Sequence, residues 1–186
     1  MISGAAIRLG ASPVISLDEG SKAAEVGANL YDTEIEALLA ANRWRFATGK
    51  IALSLSADEP LNDWRYAWQL PTNPKIMTLV QVYPSQDYER YEDKLYTNNG
   101  NACEIDYVYR PDEDKWPAHF VALVEAKLAM EMAIGVTGSR TLHETMKANF
   151  SGPGSHSGVL QHAMAVDSRE RPPTEIVDSP FVSVRR

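Results

Sequence analysis

The chain of 186 residues holds a single cysteine, Cys103, so it can form neither an internal disulfide nor a cysteine-cluster zinc site. No apolar run approaches the roughly 20 residues that cross a bilayer, and Met1 to Gly10 lack the basic start and long apolar stretch of a secretion signal. Basic residues are in deficit. The 18 Lys and Arg face 25 Asp and Glu, a net charge of -7, whereas a protein that coats DNA needs the opposite sign. There is no glycine-rich phosphate loop with lysine and no G-x-G-x-x-G after a strand. What remains is ordinary for a globular protein: 44 % apolar and 23 % charged residues, enough for one domain with a core and an appendage.

Aromatic residues and charge are unevenly placed. Twelve of the sixteen aromatics lie between Trp44 and Trp116, and residues from Ser151 onward balance four acids with four bases, so the net charge belongs to residues 1–150. A short helix is expected from Ile2 to Leu9, ended by Gly10 and Ser12-Pro13. Ser16 and Glu19 have the spacing of a capping box for a long helix whose apolar face is Ala23, Gly27, Leu30, Tyr31, Ile35, Leu38 and Leu39. The middle alternates as strands do: Ile51 to Ser56, Ile76 to Tyr83 and Ala102 to Arg110. Asn98-Asn99-Gly100 predicts a hairpin between Tyr91–Thr97 and Ala102–Arg110. A helix from Pro117 to about Ile134 is apolar nearly all round, the pattern of a helix central in a bundle or wedged against a neighbouring subunit. Thr141 and Glu144 read as the cap of the next helix, and Val159 to Val166 as a short last one. The expected fold is therefore mainly α: an antiparallel helical bundle over residues 1–150, a small antiparallel β insertion at about 48–112, then a loop, a short helix and an extended C-terminal tail over 151–186.

Chemistry is thinly signalled. His119, His143, His156 and His162 share no metal-ligand spacing. Ser155-His156 are adjacent, but a catalytic pair is defined by spatial geometry. Cys103 reads as an inert strand thiol. Asp58-Glu59, Glu92-Asp93 and Asp112-Glu113-Asp114 read as loop charges rather than the facing carboxylates of a glycosidase. Gly135 to Arg140 reads as a turn between helices, not a phosphate loop. The clustered aromatics read as core and contact surface, with Arg43, Trp44, Trp64 and Trp68 the candidates for a subunit or tail interface.

Taken in order, several short motifs resemble the tail tubular protein A group of tailed-phage head-to-tail adaptors. They are an opening helix closed by Leu9-Gly10, then Ser16-Leu17-Asp18-Glu19-Gly20, Trp44-Arg45-Phe46-Ala47 and Tyr66-Ala67-Trp68-Gln69-Leu70-Pro71. Ile105-Asp106-Tyr107-Val108 follows, then the helix Phe120 to Ala133 leading into Thr137-Gly138-Ser139-Arg140. Gly152-Pro153-Gly154 departs from the group, whose last helix runs on unbroken. The resemblance implies a virion protein that is not an enzyme and has no cofactor or catalytic residue, made in the host cytoplasm and built into the neck. About twelve copies would form a ring beneath the portal protein and above the tail nozzle protein, with DNA passing through unbound. The rival expectation is a virion-associated peptidoglycan hydrolase, or an adaptor with both roles. In an adaptor, the tail would dock on the portal by edge addition, using Ile176, Val177, Phe181, Val182 and Val184 as anchors and Arg185 and Arg186 against acidic groups.

Overall fold

The apolar residues of this chain separate into two cores, and that division overturns the expectation of a mainly α bundle. The computed structural model describes residues 1–60, 63–152 and 158–170. Of the described residues, helices account for 44 % and strands for 18 %, with the strands in two antiparallel sheets of three and four. The strand region is no small insertion on a bundle. It encloses its own core of Leu53, Trp68, Leu70, Ile76, Val82, Leu95, Cys103, Ile105 and Tyr107.

The strands are β1 (Thr48–Ala52), β2 (Ser54–Leu55), β3 (Tyr66–Gln69), β4 (Thr78–Tyr83), β5 (Tyr88–Tyr91), β6 (Lys94–Thr97) and β7 (Glu104–Val108). One sheet has the order β1-β7-β4, the other β2-β3-β6-β5. The run Ile51 to Ser56 is split between them. β1 pairs with β7, the amide of Leu53 donates to the Cys103 carbonyl at 2.7 Å, and Leu55 then pairs with Trp68 in the other sheet. The expected hairpin around Asn98-Asn99-Gly100 does not form. β6 pairs with β3 and β5, and the chain crosses there to β7 in the other sheet. Gly100 permits the crossing because the Tyr66 ring lies where a Cβ would be, 2.3 Å away. The tight hairpin is β5–β6 instead, turning at Glu92-Asp93, with Glu92 at φ 52.

β7 is central, and its two faces serve different cores. Ile105 and Tyr107 join Trp68, Leu70 and Leu95, while Val108 joins the helical core with Trp44, Ala47 and Phe120. The β1-β7-β4 sheet is thus shared between the helices and the second sheet.

The helices are α1 (Ile2–Arg8), α2 (Lys22–Ala41), α3 (Ala118–Thr137), α4 (Arg140–Ser151) and α5 (Val159–Ser168), with a 3-10 turn at Glu113–Lys115. α2 begins later than the capping-box spacing predicts. Its cap is Ser21, which accepts from the Ala24 amide, while the Glu19 carboxylate accepts from the amides of Ile15 and Ser16 and braces the preceding loop. Gly20, at φ +72, separates loop from helix. α4 is capped by Ser139, whose hydroxyl accepts from Leu142, rather than by Thr141. α3 runs through Gly135 to Thr137 and ends at Gly138 in the left-handed conformation. Most of its apolar surface is covered within the chain: α1, α2, α4 and α5 pack on it and bury Phe120, Leu123, Val124, Leu128 and Met132 among others, while Ile134 stays 49 % exposed. The loop expected at 151–158 falls largely outside the described residues, as does the tail from 171.

Candidate functional site

Three places in the structure hold groups whose arrangement exceeds ordinary packing. The first joins helices to sheet. Asp106 projects from β7 toward the end of α2 and is 4 % exposed. Its Oδ2 accepts from Arg43 at 2.7 Å and from the Tyr83 hydroxyl at 3.4 Å, and Lys50 Nζ stands 3.5 Å from Oδ1. Lys50 also lies over the Tyr83 ring, 4.5 Å from its centre. A buried carboxylate ringed by two cations and a phenol is a fastening between layers. Arg43, a candidate for an interface, therefore has its guanidinium engaged within its own chain.

The neighbouring tryptophans divide sharply. Trp44 is fully buried, donates its indole N–H to the Leu38 carbonyl at 2.8 Å, and meets Phe120 edge-on at 5.2 Å. Trp68 is a strand-core residue whose indole donates to Thr97 Oγ1 at 2.8 Å. Both rings lie inside their own chain. Trp64 is half-buried and donates to Glu89 at 2.9 Å. The expected portal-binding residues Ile176, Val177, Phe181, Val182, Val184, Arg185 and Arg186 lie outside the described residues.

The second place secures α5. Asp167 is 4 % exposed and accepts from the Arg45 amide with both oxygens, at 3.0 and 3.2 Å. His119 Nε2 of α3 lies 3.9 Å from Oδ1. Burial raises the Asp167 pKa, opposed by the Arg45 amide and by His119, while Glu170 adds to the rise. A raised folded pKa means that the folded state binds the proton more readily than the unfolded chain. The stabilisation present at low pH is therefore lost as pH rises through the folded value. Asp167→Asn keeps an acceptor for Arg45 and removes the buried charge. It is expected to leave the protein as stable as wild type or more so at neutral pH, and to flatten the pH dependence of melting from about pH 4 upward. Thermal melts of both proteins across that range check this; identical slopes would reject it.

The third place is a surface. The braced loop between α1 and α2 leaves Ile15 92 % and Leu17 55 % exposed. Asp18 donates its amide to the Ser16 hydroxyl at 3.2 Å, adding a second local brace. The loop borders a concavity of about 490 Å³ whose wall includes Met1, Ile2, Val14, Tyr31 and Glu113. Burial, then Glu113, push the Tyr31 phenol above its usual range.

The remaining reactive residues are engaged locally. Burial pushes the Cys103 thiol up to about 11, so the thiolate that would react is scarce. His143 Nδ1 is bound to the Met130 carbonyl at 2.9 Å, and His162 is exposed. Asp58 is held below its usual range by its hydrogen bond to Lys94, Asp112 pairs with Lys115, and Glu113 stands 3.7 Å from Arg110. Lys127 is desolvated between α2 and α3, but its bonds to Glu131 and Glu34 outweigh that loss and keep its ammonium raised. Among the described residues no group of three or more His, Cys, Asp or Glu is placed to hold a metal ion.

The sequence signalled little of this. Asp106 alternates correctly for a polar face, yet Arg43, Tyr83 and Lys50 enclose its carboxylate. Asp167 sits in a helix whose burial depends on packing against a turn 122 residues away. Ile15 and Leu17 could have been found as apolar residues stranded between Pro13 and Gly20. No protein-family model matches the chain, and no curated protein matches it.

Proposed function

We propose that this chain is a structural subunit of a phage neck, an adaptor that joins portal to tail nozzle in a ring and leaves a passage for DNA. The observation that carries the reading is the braced apolar loop. Ile15 and Leu17 stand 92 % and 55 % exposed two residues apart, and the Glu19 and Ser16 bonds hold the loop in one shape for docking. The ordered resemblance across residues 1–150 supports the same reading, as does a charge of -7, which favours sliding over retention of DNA. In this proposal the segment 171–186 serves the portal contact. Tyr66 and Tyr88, which both pair with Thr97 and so share one face of the four-stranded sheet, are each more than a third exposed and offer a second surface for the nozzle side.

Ile15→Asp combined with Leu17→Asp is expected to leave the melting temperature within about 1–2 °C of wild type, since neither side chain is packed. The same variant should lose co-sedimentation with the portal of its virus or with the assembled neck. A variant that still assembles would remove the loop from the proposal. Clearing of a cell-wall suspension by the wild-type protein, abolished by Glu113→Gln or Asp114→Asn, would favour the hydrolase instead.

A further inference from the structure

Two helices packed on α3, α2 and α4, carry complementary charges at the same spacing on their outer faces. α2 lies against the Gly135 and Met132 side of α3, where Val26 and Gly27 meet it. α4 lies on another side, where His143 reaches the Met130 carbonyl. The outer row of α2 is Glu25, Asn29, Asp32 and Glu36, all exposed, separated by four, three and four residues and therefore in one line along the helix. The outer row of α4 is Arg140, Glu144 and Lys147, also exposed and again separated by four and three. Arg140 and Lys147 are seven residues apart, as are Glu25 and Asp32, about 10 Å at the helical rise.

Few of these charges are satisfied within the chain. Among the described residues Glu25, Glu36, Arg140, Glu144 and Lys147 make no ion pair, and Asp32 meets only Arg110. Arg140 is moreover the first residue of α4, where the positive end of the helix dipole disfavours a cation. An anion supplied from outside would relieve that repulsion. The flanking exposed residues are small (Ala28, Thr33 and Ala37 on α2; Thr141, Thr145 and Ala148 on α4), so the two backbones can approach closely.

We propose that a second copy of this chain covers the outer face of α2 with its α4. The register sets Glu25 and Asp32 against Arg140 and Lys147, with the Asn29 amide donating to Glu144. The contact is heterologous: one copy offers α2, the next offers α4, and the helical layer continues from copy to copy as a ring requires. The inference rests on the adaptor reading and names the surfaces by which such copies would meet. Exposed ion pairs are weak singly and screened by salt, so the contact is concentration-dependent and strongest at low ionic strength.

The test mixes isotopically heavy and light full-length protein at high concentration and low salt, then joins carboxylates to amines in contact with a carbodiimide. The expected product is a mixed heavy–light link between Lys147 and Glu25 or Asp32. Its yield should fall about tenfold in Arg140→Glu, which keeps both reacting groups; it cannot form within Arg140→Glu/Lys147→Glu or Glu25→Lys/Asp32→Lys alone, which each lack one, and should return when those two proteins are mixed. Circular dichroism of each variant establishes that it is folded. Mixed links confined to other surfaces, none at any concentration, or no recovery on mixing would each overturn the contact. None of these results touches the adaptor reading, which fails separately if the chain is absent from the particle neck.

Discussion

Replacing Trp44 with alanine is expected to destabilise the isolated chain by about 3–5 kcal/mol, the cost of removing a large aromatic from a close-packed interior. Three losses combine. The ring is fully buried, it packs edge-on against Phe120 at 5.2 Å and near Phe46 at 6.4 Å, and its N–H serves the Leu38 carbonyl near the end of α2. For a domain of this size the melting temperature should drop by roughly 10 °C or more. Trp44→Phe restores most of the volume but strands the Leu38 carbonyl, and should recover only part of the loss. Urea denaturation of the purified protein decides the matter. A Trp44→Ala protein as stable as wild type alone, but unable to assemble, would return Trp44 to the interface role that the sequence implied.

The second large effect belongs to Asp106. Its removal leaves Arg43 with no carboxylate and the Tyr83 hydroxyl with no acceptor at the joint between helices and sheet. A fully enclosed pair would lose 3–5 kcal/mol. The Arg43 and Lys50 side chains, however, are 31 % and 58 % exposed, and water screens part of the loss, so Asp106→Ala is expected to cost about 2–3 kcal/mol. Asp106→Leu paired with Arg43→Met should cost less than the sum of the two single changes, because only Lys50, 58 % exposed, is then left without its partner. Equilibrium unfolding of the four proteins gives the coupling; strict additivity would show that the fastening does not exist.

The helices were legible because their signals are local. Gly10 ends α1 as its position implies, and the spacing of Ala23 to Leu39 marks the buried face of α2, whereas α3 runs past its expected end near Ile134, through Gly135, to Gly138. The exact start of α2 was less so, because Ser16 and Glu19 have the spacing of a cap but satisfy each other's neighbourhood in a loop instead. The two sheets were not legible. Nothing between Ile51 and Ser56 announces that the pairing partner changes at Leu53, since both halves alternate in the same way. Asn98-Asn99-Gly100 is a turn sequence whether the chain folds back or crosses over. The mainly α reading failed because strand pairing is decided by residues far apart, such as Gly49 with Tyr107. The fastening of Asp106 was hidden for the same reason, although Arg43, half of it, stood out.

The pairing of β1 with β7 also bears on how the chain reaches this state. β7 cannot be enclosed until β1 and β4 lie on either side of it, and all four strands of the other sheet fall between β1 and β7 in the chain. Closing so long a loop is entropically costly, and the cost is met before most of the contacts it permits are made. The β2-β3-β6-β5 sheet includes the short β5–β6 hairpin and can begin from nearby contacts, whereas the shared sheet is expected to close later. Because that sheet also seats Arg43 and the end of α2, the helical layer acquires its final orientation only when β7 is in place. A newly made chain would therefore pass through a stage in which the helices exist but do not yet present their outer faces in fixed relation. In a cell crowded with identical chains, that delay would hold back the proposed copy-to-copy contact until each chain has finished folding.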